Sequence, residues 1–350
     1  MISNEPTAII VLNYKGWVDT LACIKSLLNL NNDSFGIFII DNCSPDDSIA
    51  RLINWSRIEL PALNIVRQQK GKRSLKFYFD ESRSGNISNE DVSTSDSRHA
   101  ITLVRASKNG GYAAGNNIGL RYALRQNYQS FWILNNDTEV LPDALDWLLG
   151  RIDEDPRIGM CGSTLVYAKR PDIVQNLAGG GFKRWKGKGY GLGEGTLASD
   201  EVKRNMVEKE LRFVSGASML VTREFVETVG LMQEDYFLFW EEFDWANRGR
   251  NRFRLGFAPR SIVRHKVGAS IGTRDFGDHS HLADYYLTRN RIKICLRFSK
   301  ISLPFVCLDL CRIIVWECIR GRWQRAILVS RAAVGLRYLA KTCGLFVLGV

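Results

Sequence analysis

The sequence is short of the features that would announce a metal cage, a disulfide scaffold or a membrane span. Four histidines are too few for a histidine-built metal site, so any bound metal is expected to be held mainly by oxygen. The eight cysteines contain no C-x-x-C pair and fall in segments that read as core, which argues against a zinc knuckle and against disulfides. No uncharged apolar run reaches the roughly 18 residues of a spanning helix. Residues 1–7 lack the basic start and apolar run of a signal peptide, so a cytoplasmic chain is expected. What is present is ordinary for a folded protein: 350 residues, 45% hydrophobic, 24% charged and 11% aromatic, enough for one large α/β enzyme or a domain with an appendage.

Acidic residues are scarce mainly at one end. Residues 289–350 hold 12 Lys and Arg against only Asp309 and Glu317, which accounts for nearly all of the net +11 and leaves the preceding chain almost neutral. In that tail, basic residues interleave with aliphatic ones and with Trp316 and Trp323, the pattern of helices that lie on an anionic membrane surface. A helical cap on the body and a homodimer interface are the alternatives. Too few aromatics are interleaved for nucleic acid.

Elsewhere, short apolar runs alternate with amphipathic stretches, which predicts an α/β fold with a mostly parallel sheet flanked by helices. Strands are expected at 8–12, 36–40, 101–104 and 131–134, and helices at 17–28, after Ser44-Pro45-Asp46-Asp47, at 113–125 and at 142–152. Further strands are expected at 158–166 and 211–222, separated by an irregular Gly- and Lys/Arg-rich loop over 178–195. Residues 68–100 are polar apart from 75–79 and are expected to leave the sheet as a partly mobile insertion.

Polar residues ending parallel strands stand where ligands bind. Asn13-Tyr14, Asp41-Asn42 and Asn135-Asn136-Asp137 are such ends. Between the last two lies Asn109-Gly110-Gly111-Tyr112-Ala113-Ala114-Gly115-Asn116-Asn117-Ile118-Gly119, which is neither a Walker loop nor G-x-G-x-x-G. Its glycines suit either close backbone approach to an anionic ligand at a helix N-terminus, or a tight strand-to-helix turn capped by asparagines.

These motifs, in order, resemble glycosyltransferase family 2 of the GT-A fold, in particular its bacterial rhamnosyltransferase-like branch. Ile10-Val11-Leu12-Asn13-Tyr14, Ile40-Asp41-Asn42-Cys43-Ser44, the 109–119 run and Leu134-Asn135-Asn136-Asp137 carry the first part of the likeness. Val214-Ser215-Gly216-Ala217, Tyr236-Phe237-Leu238-Phe239-Trp240-Glu241-Glu242-Phe243-Asp244, His265-Lys266-Val267-Gly268-Ala269-Ser270 and Tyr285-Tyr286-Leu287-Thr288-Arg289-Asn290-Arg291 continue it. It covers about residues 6–297, so a catalytic domain over 1–297 and a basic helical tail over 298–350 are expected.

The resemblance implies an inverting transfer from a nucleotide sugar to a lipid-linked or polysaccharide acceptor in cell-envelope glycan synthesis. The expected donor is dTDP-rhamnose; a UDP-hexose or UDP-N-acetylhexosamine is the alternative within the family, and a non-catalytic nucleotide-sugar-binding scaffold the alternative outside it. Asp41 would accept a hydrogen bond from the uracil or thymine ring, with Asn13 and Tyr14 lining the base pocket. Asn109, Gly111, Gly115, Asn116, Asn136 and Arg289 would face the donor, with Arg291 near its phosphates. Asp137 and His265 would bind Mg²⁺ or Mn²⁺, which shares oxygen ligands with phosphates. Glu242 takes the catalytic-base position, where many relatives carry Asp, and Glu241 competes with it.

Plainer roles remain open at this stage. Asp41 also suits a turn cap before Ser44-Pro45, Asp137 a turn before Leu141-Pro142, and His265 a structural histidine. Glu241, Glu242 and Asp244 also suit the acidic first turn of a helix, with Asp244 and Arg248 paired on its surface. The five apolar residues preceding those acids favour an acceptor-site wall that raises a carboxylate pKa by desolvation. Membrane residence at the inner face of the cytoplasmic membrane would suit a lipid-linked acceptor.

Overall fold

A computed structural model describes residues 5–81, 99–266 and 280–342, with side chains described to residue 333 of the last helix. The first half comprises β1 (Thr7–Asn13), α1 (Trp17–Leu27), β2 (Phe35–Asp41), α2 (Ser48–Ile58), α3 (Leu60–Gln69), β3 (Lys76–Asp80), β4 (Ala100–Arg105), α4 (Gly111–Leu124), β5 (Ser130–Asn135), β6 (Thr138–Val140) and α5 (Ala144–Glu154). There follow β7 (Ile158–Tyr167), β8 (Arg170–Leu177), β9 (Gly179–Lys183), β10 (Lys188–Gly191), α6 (Arg204–Glu210), β11 (Phe213–Val214), β12 (Ser218–Thr222), α7 (Arg223–Val229), α8 (Glu241–Gly249) and β13 (Arg254–His265). Three helices close the chain: α9 (His281–Phe298), α10 (Leu303–Ile319) and α11 (Trp323–Thr342).

Nine strands run in the order β3-β4-β2-β1-β5-β12-β7-β13-β6, and β8 pairs with β7 as the tenth. The five strands from β3 to β5 are parallel, while β12 runs antiparallel to both its neighbours. The central strands read as continuous apolar runs because helices cover both faces. Alternation by two sorts their residues. Ile9, Val11, Ile37 and Ile39 face a core shared with α1, α2 and α5; Ile10, Phe38, Ile40 and Ile133 face one shared with α4, α7 and α8. From β2 the chain goes to the edge strand β3 and comes back to insert β4 between them on one side of β1, and β5 then crosses to its other side. That reversal opens a crevice beyond the carboxyl ends of β1 and β5.

Three sequence expectations need correcting. Residues 76–80 do not leave the sheet; they extend it as its edge strand, with Phe77 against the core and Tyr78 and Phe79 exposed. Residues 82–98 of the insertion lie outside the described residues. The supposed irregular loop at 178–195 is the β9–β10 hairpin, which joins β11 in a small sheet of its own. Its glycines hid the strand pattern, yet they permit the packing: a side chain on Gly180 would collide with the Tyr190 carbonyl and the Phe213 ring. The strand expected at 211–222 is broken at residues 215–217, so that β11 serves the small sheet and β12 the large one.

The closing helices pack onto the body. Ile292, Cys295, Val306, Leu310 and Val329 form a core of their own, joined by Phe182 of the hairpin.

Candidate active site

The crevice is lined by the strand ends that the sequence singles out. Asp41 and Asn13, at matching positions on β2 and β1, are buried side by side. Asn13 Nδ2 donates to Asp41 Oδ2 at 2.8 Å and the Ser44 amide donates to Oδ1 at 2.9 Å. Asp41 is thus a turn cap as well as a buried carboxylate, and it has no exposed surface as the side chains stand. The chain of contacts continues: Thr20 Oγ1 donates to Asn13 Oδ1 at 2.8 Å and accepts from Asn136 Nδ2 at 3.1 Å. Asn136 also donates to the Gly16 carbonyl, so its amide group braces the β5 turn against α1. Tyr14 stands partly exposed at the mouth.

Asp137 follows directly, and the pairing of β13 with β6 sets His265 opposite Thr138. Gln175 Oε1 lies 2.8 Å from His265 Nδ1, which assigns the ring proton to Nδ1 because a carbonyl oxygen only accepts. His265 Nε2, also buried, stands 3.2 Å from Asp137 Oδ1. An imidazole nitrogen and a carboxylate oxygen set this close in a buried place could share a cation, and the pair fits Mn²⁺ or Mg²⁺. Among the described residues no group of three or more His, Cys, Asp or Glu could hold a metal, so the remaining ligands would come from a bound phosphate or water. Lys266 is engaged by Asp19 at 2.9 Å and Glu139 at 3.6 Å, and Gly268-Ala269-Ser270 lie outside the described residues.

The glycine segment does not offer free amides to an anion. Asn42 and Asn109 cap the Gly110 and Gly111 amides, and the Tyr112 amide donates to the Phe237 carbonyl at 2.7 Å. Gly111, at φ +83°, lies so close to Phe237 that a Cβ would stand 2.2 Å from that carbonyl oxygen. Gly115 lets α4 rest on Leu12 of β1. These residues were expected to face the donor; they fasten the 237–240 turn and the helix to the sheet instead. Asn116 donates within its own helix, and its Oδ1 is buried without a partner.

The turn they fasten carries the acids. Phe237, Phe239 and Trp240 all have positive φ, a strained arrangement for side chains of that size. Asn290 of α9 holds it, donating to the carbonyls of Tyr236, Leu238 and Phe239 at 2.9, 2.7 and 3.1 Å. From this turn α8 starts with Glu241 and Glu242. Glu241 is only 2% exposed with Oε2 unpartnered, and burial, then the neighbouring Glu242, push its carboxyl well above the usual range. Glu242 lies against the Gly216 amide at the start of β12, and burial raises its pKa too. Tyr112 Oη donates to the Gly216 carbonyl at 2.7 Å, and a Cβ on Gly216 would meet both Tyr112 Oη and Glu242 Oε1 at 2.5 Å. Gly216→Ala is therefore expected to displace the Glu242 carboxylate and lower kcat by about 10²-fold with the donor KM unchanged. Steady-state kinetics on the folded variant check it.

Sequence reasoning missed Tyr112, Gly216 and Asn290 as builders of the site. Their signal was proximity in space, visible in the sequence only as membership of quoted motifs. Asp244 pairs with Arg248 at 2.8 Å as expected, yet fully buried rather than on the surface. Arg289 donates to the Asp235 carbonyl and to Asn290. Arg291 donates to the Lys186 and Gly187 carbonyls and to Asp309. Both arginines are structural here.

The sheet reversal thus carries a carboxylate–histidine pair on one side and a buried carboxylate pair on the other. Two solved structures share the fold. The mannosyltransferase PcManGT from Pyrobaculum calidifontis in complex with GDP-Man and Mn²⁺ is 13% identical, with a TM-score of 0.51 over 94% of this chain and 86% of that one. GalNAc-T7 with UDP, GalNAc and Mn²⁺ is also 13% identical, with a TM-score of 0.51 over 83% of this chain and 48% of that one. In sequence, residues 80–229 match the family described as Glycosyl transferase family 2. The N-acetylglucosaminyl-diphospho-decaprenol L-rhamnosyltransferase of Mycobacterium tuberculosis, strains CDC 1551 / Oshkosh and ATCC 25618 / H37Rv, is 27% identical over 164 residues. That match takes in 44% of this chain and 52% of the relative, so the chain spans about half the length of the curated relatives it matches. Over residues 80–229 the chain is thus similar to glycosyltransferase family 2, and its fold is the GT-A fold of these neighbours.

Proposed function

We propose that this protein is an inverting glycosyltransferase that moves a sugar from a nucleoside diphosphate to a lipid-linked or polysaccharide acceptor. The observation that carries it is the placement of Asp41, the Asp137–His265 pair and Glu242 along one rim of the sheet. Rhamnose from dTDP-rhamnose is the donor sugar favoured, on the strength of the mycobacterial rhamnosyltransferase. That relative's name specifies a decaprenol-linked acceptor, which supports a lipid acceptor and residence at a membrane, and the inner face of the cytoplasmic membrane is the side proposed here. No helix among the described residues is long and apolar enough to cross a membrane, so the attachment proposed is peripheral.

The residues divide the work by position. Asp41 and Asn13, enclosed as the side chains stand, would open to receive the pyrimidine, with Tyr14 at the mouth. Asp137 and His265 would hold a divalent cation, whose chemistry when bound is to neutralise charge on the departing diphosphate. Glu242 accepts the proton of the acceptor hydroxyl as its oxygen forms a bond to the anomeric carbon. The bond from that carbon to the diphosphate breaks on the opposite face, which inverts the configuration. Glu241 is enclosed behind it, where burial disfavours its charged form.

Thermal denaturation with a panel of UDP-, dTDP- and GDP-sugars, with and without Mn²⁺, tests the proposal. A ligand at about 100 times its Kd stabilises by about 2.7 kcal/mol. Stabilisation is expected from dTDP-rhamnose, greater with Mn²⁺, and the Mn²⁺-dependent part is expected to vanish in Asp137→Asn. A panel in which no nucleotide sugar raises Tm would refute the assignment.

A further inference from the structure

We propose that the tip of the β9–β10 hairpin and the outer face of α10 form a single membrane-docking face, so that the catalytic domain itself, and not only the tail, contacts the bilayer. The inference rests on the peripheral location proposed above and names the surface that performs it. The tip reads Lys183-Arg184-Trp185-Lys186-Gly187-Lys188, one tryptophan among four cations with no acid between them. All five of those side chains are exposed, Trp185 by 64%. Its ring meets Phe305 of α10 edge-on, with centroids 5.8 Å apart. Beyond Phe305, Leu308, Val315 and Ile319 follow at helical spacing, 69%, 58% and 72% exposed, with the exposed Arg312 between Leu308 and Val315. Trp316 lies beside it with the Arg320 guanidinium 4.5 Å above its ring.

Hairpin and helix are fastened to each other. Arg291 ties the Lys186 and Gly187 carbonyls to Asp309 of α10, and the Ser302 hydroxyl donates to the Arg184 carbonyl. Gly187 packs so closely that a Cβ would stand 2.5 Å from Val306 and 2.7 Å from Cys295. The two elements therefore present their apolar side chains as one surface.

Charge selects the occupant. The two acids of α10 are spoken for: Asp309 by Arg291 at 2.8 Å, and buried Glu317 by Arg325 at 3.6 Å and Arg322 at 3.9 Å. The face consequently shows exposed tryptophan and aliphatic side chains with cations at both ends and Arg312 at its middle. A second copy of the chain would bring like charge against like charge, whereas an anionic lipid surface matches it and accepts the apolar stripe. Docking also has a direct line to the acids: β9 places Phe182, next to this tip, against Trp240 and Phe243, with centroids 6.2 and 4.8 Å away, on either side of Glu241 and Glu242.

Flotation of the full chain with vesicles of phosphatidylcholine, with and without phosphatidylglycerol, tests the proposal. Binding is expected only to the anionic vesicles. Trp185→Ser and the double variant K186E/K188E should each lower the partition, the latter by about tenfold or more given roughly fivefold per cation near an anionic surface. Circular dichroism melts confirm that both variants fold, and their nucleotide-sugar thermal shifts should match the parent. If both variants float like the parent, or if the parent ignores anionic vesicles and sediments as a dimer, the proposal is overturned. Vesicle binding that depends on Trp185 in a chain deaf to every nucleotide sugar would leave the docking face standing and remove the transferase assignment.

Discussion

Glu242→Gln is expected to reduce sugar transfer by about 10² to 10⁴-fold while leaving donor affinity unchanged, because the amide keeps the shape of the side chain and loses only its ability to accept a proton. A transfer assay paired with donor titration separates the two quantities. Since burial raises the Glu242 pKa, the base is inactive below that raised value, so kcat/KM of the parent should fall on the acid side at a pH above the ordinary glutamate range. Glu241→Gln provides the contrast. Its carboxyl, also raised, is more easily protonated in the folded chain than in the unfolded one, so it favours the folded state at low pH and loses that contribution as pH rises through the raised pKa. Glutamine there should leave most turnover intact and raise Tm more at alkaline than at acidic pH. Turnover surviving in Glu242→Gln and lost in Glu241→Gln would reverse the assignment of the base.

Asp244→Ala is expected to produce the largest loss of stability, about 3 kcal/mol, from the removal of one partner in a buried charge network. Asp244 is fully buried and accepts from Tyr236 Oη at 3.0 Å, Arg248 Nε at 2.8 Å and Arg297 at 2.6 Å. Burial pushes the Tyr236 hydroxyl far up, so it stays a donor throughout the accessible pH range. Arg248 is largely enclosed and would lose its countercharge, while Arg297, 40% exposed, regains water and softens the loss. Because Arg297 belongs to α9, the variant should also loosen the closing helices from the body. Urea unfolding monitored by circular dichroism reads the first effect, and proteolysis near residue 297 the second. An unchanged midpoint would mean that the network contributes nothing net.

The central βα units were legible because a strand covered on both faces must be apolar at every position, and the runs at 8–12, 36–40 and 131–134 are. The β9–β10 hairpin was not, since glycines chosen for close packing erase the alternation that marks a strand. Neither was β3, whose five residues pack only one side chain firmly and carry a weak signal. Within the site, Asp41, Asp137, Glu241 and Glu242 stood out by chemical type at strand or helix ends. Asn290 did not: nothing local distinguishes an asparagine that clamps three carbonyls of a turn some fifty residues away from one in solvent.

The sequence by itself determined the α/β class, the order of its central elements and the sites where acids would stand, because period and residue type are local properties. Which of those residues meet was decided by the tertiary structure. The return of β5 to the far side of β1 and the insertion of β12 beside it set Asn13, Asp137 and Gly216 along one edge. The packing of α4 and α9 against a strained turn then aimed Glu242 at that edge. Tertiary contacts also turned a loop and a tail into one basic, apolar surface, since the partner of Trp185 lies in a helix that begins more than a hundred residues later.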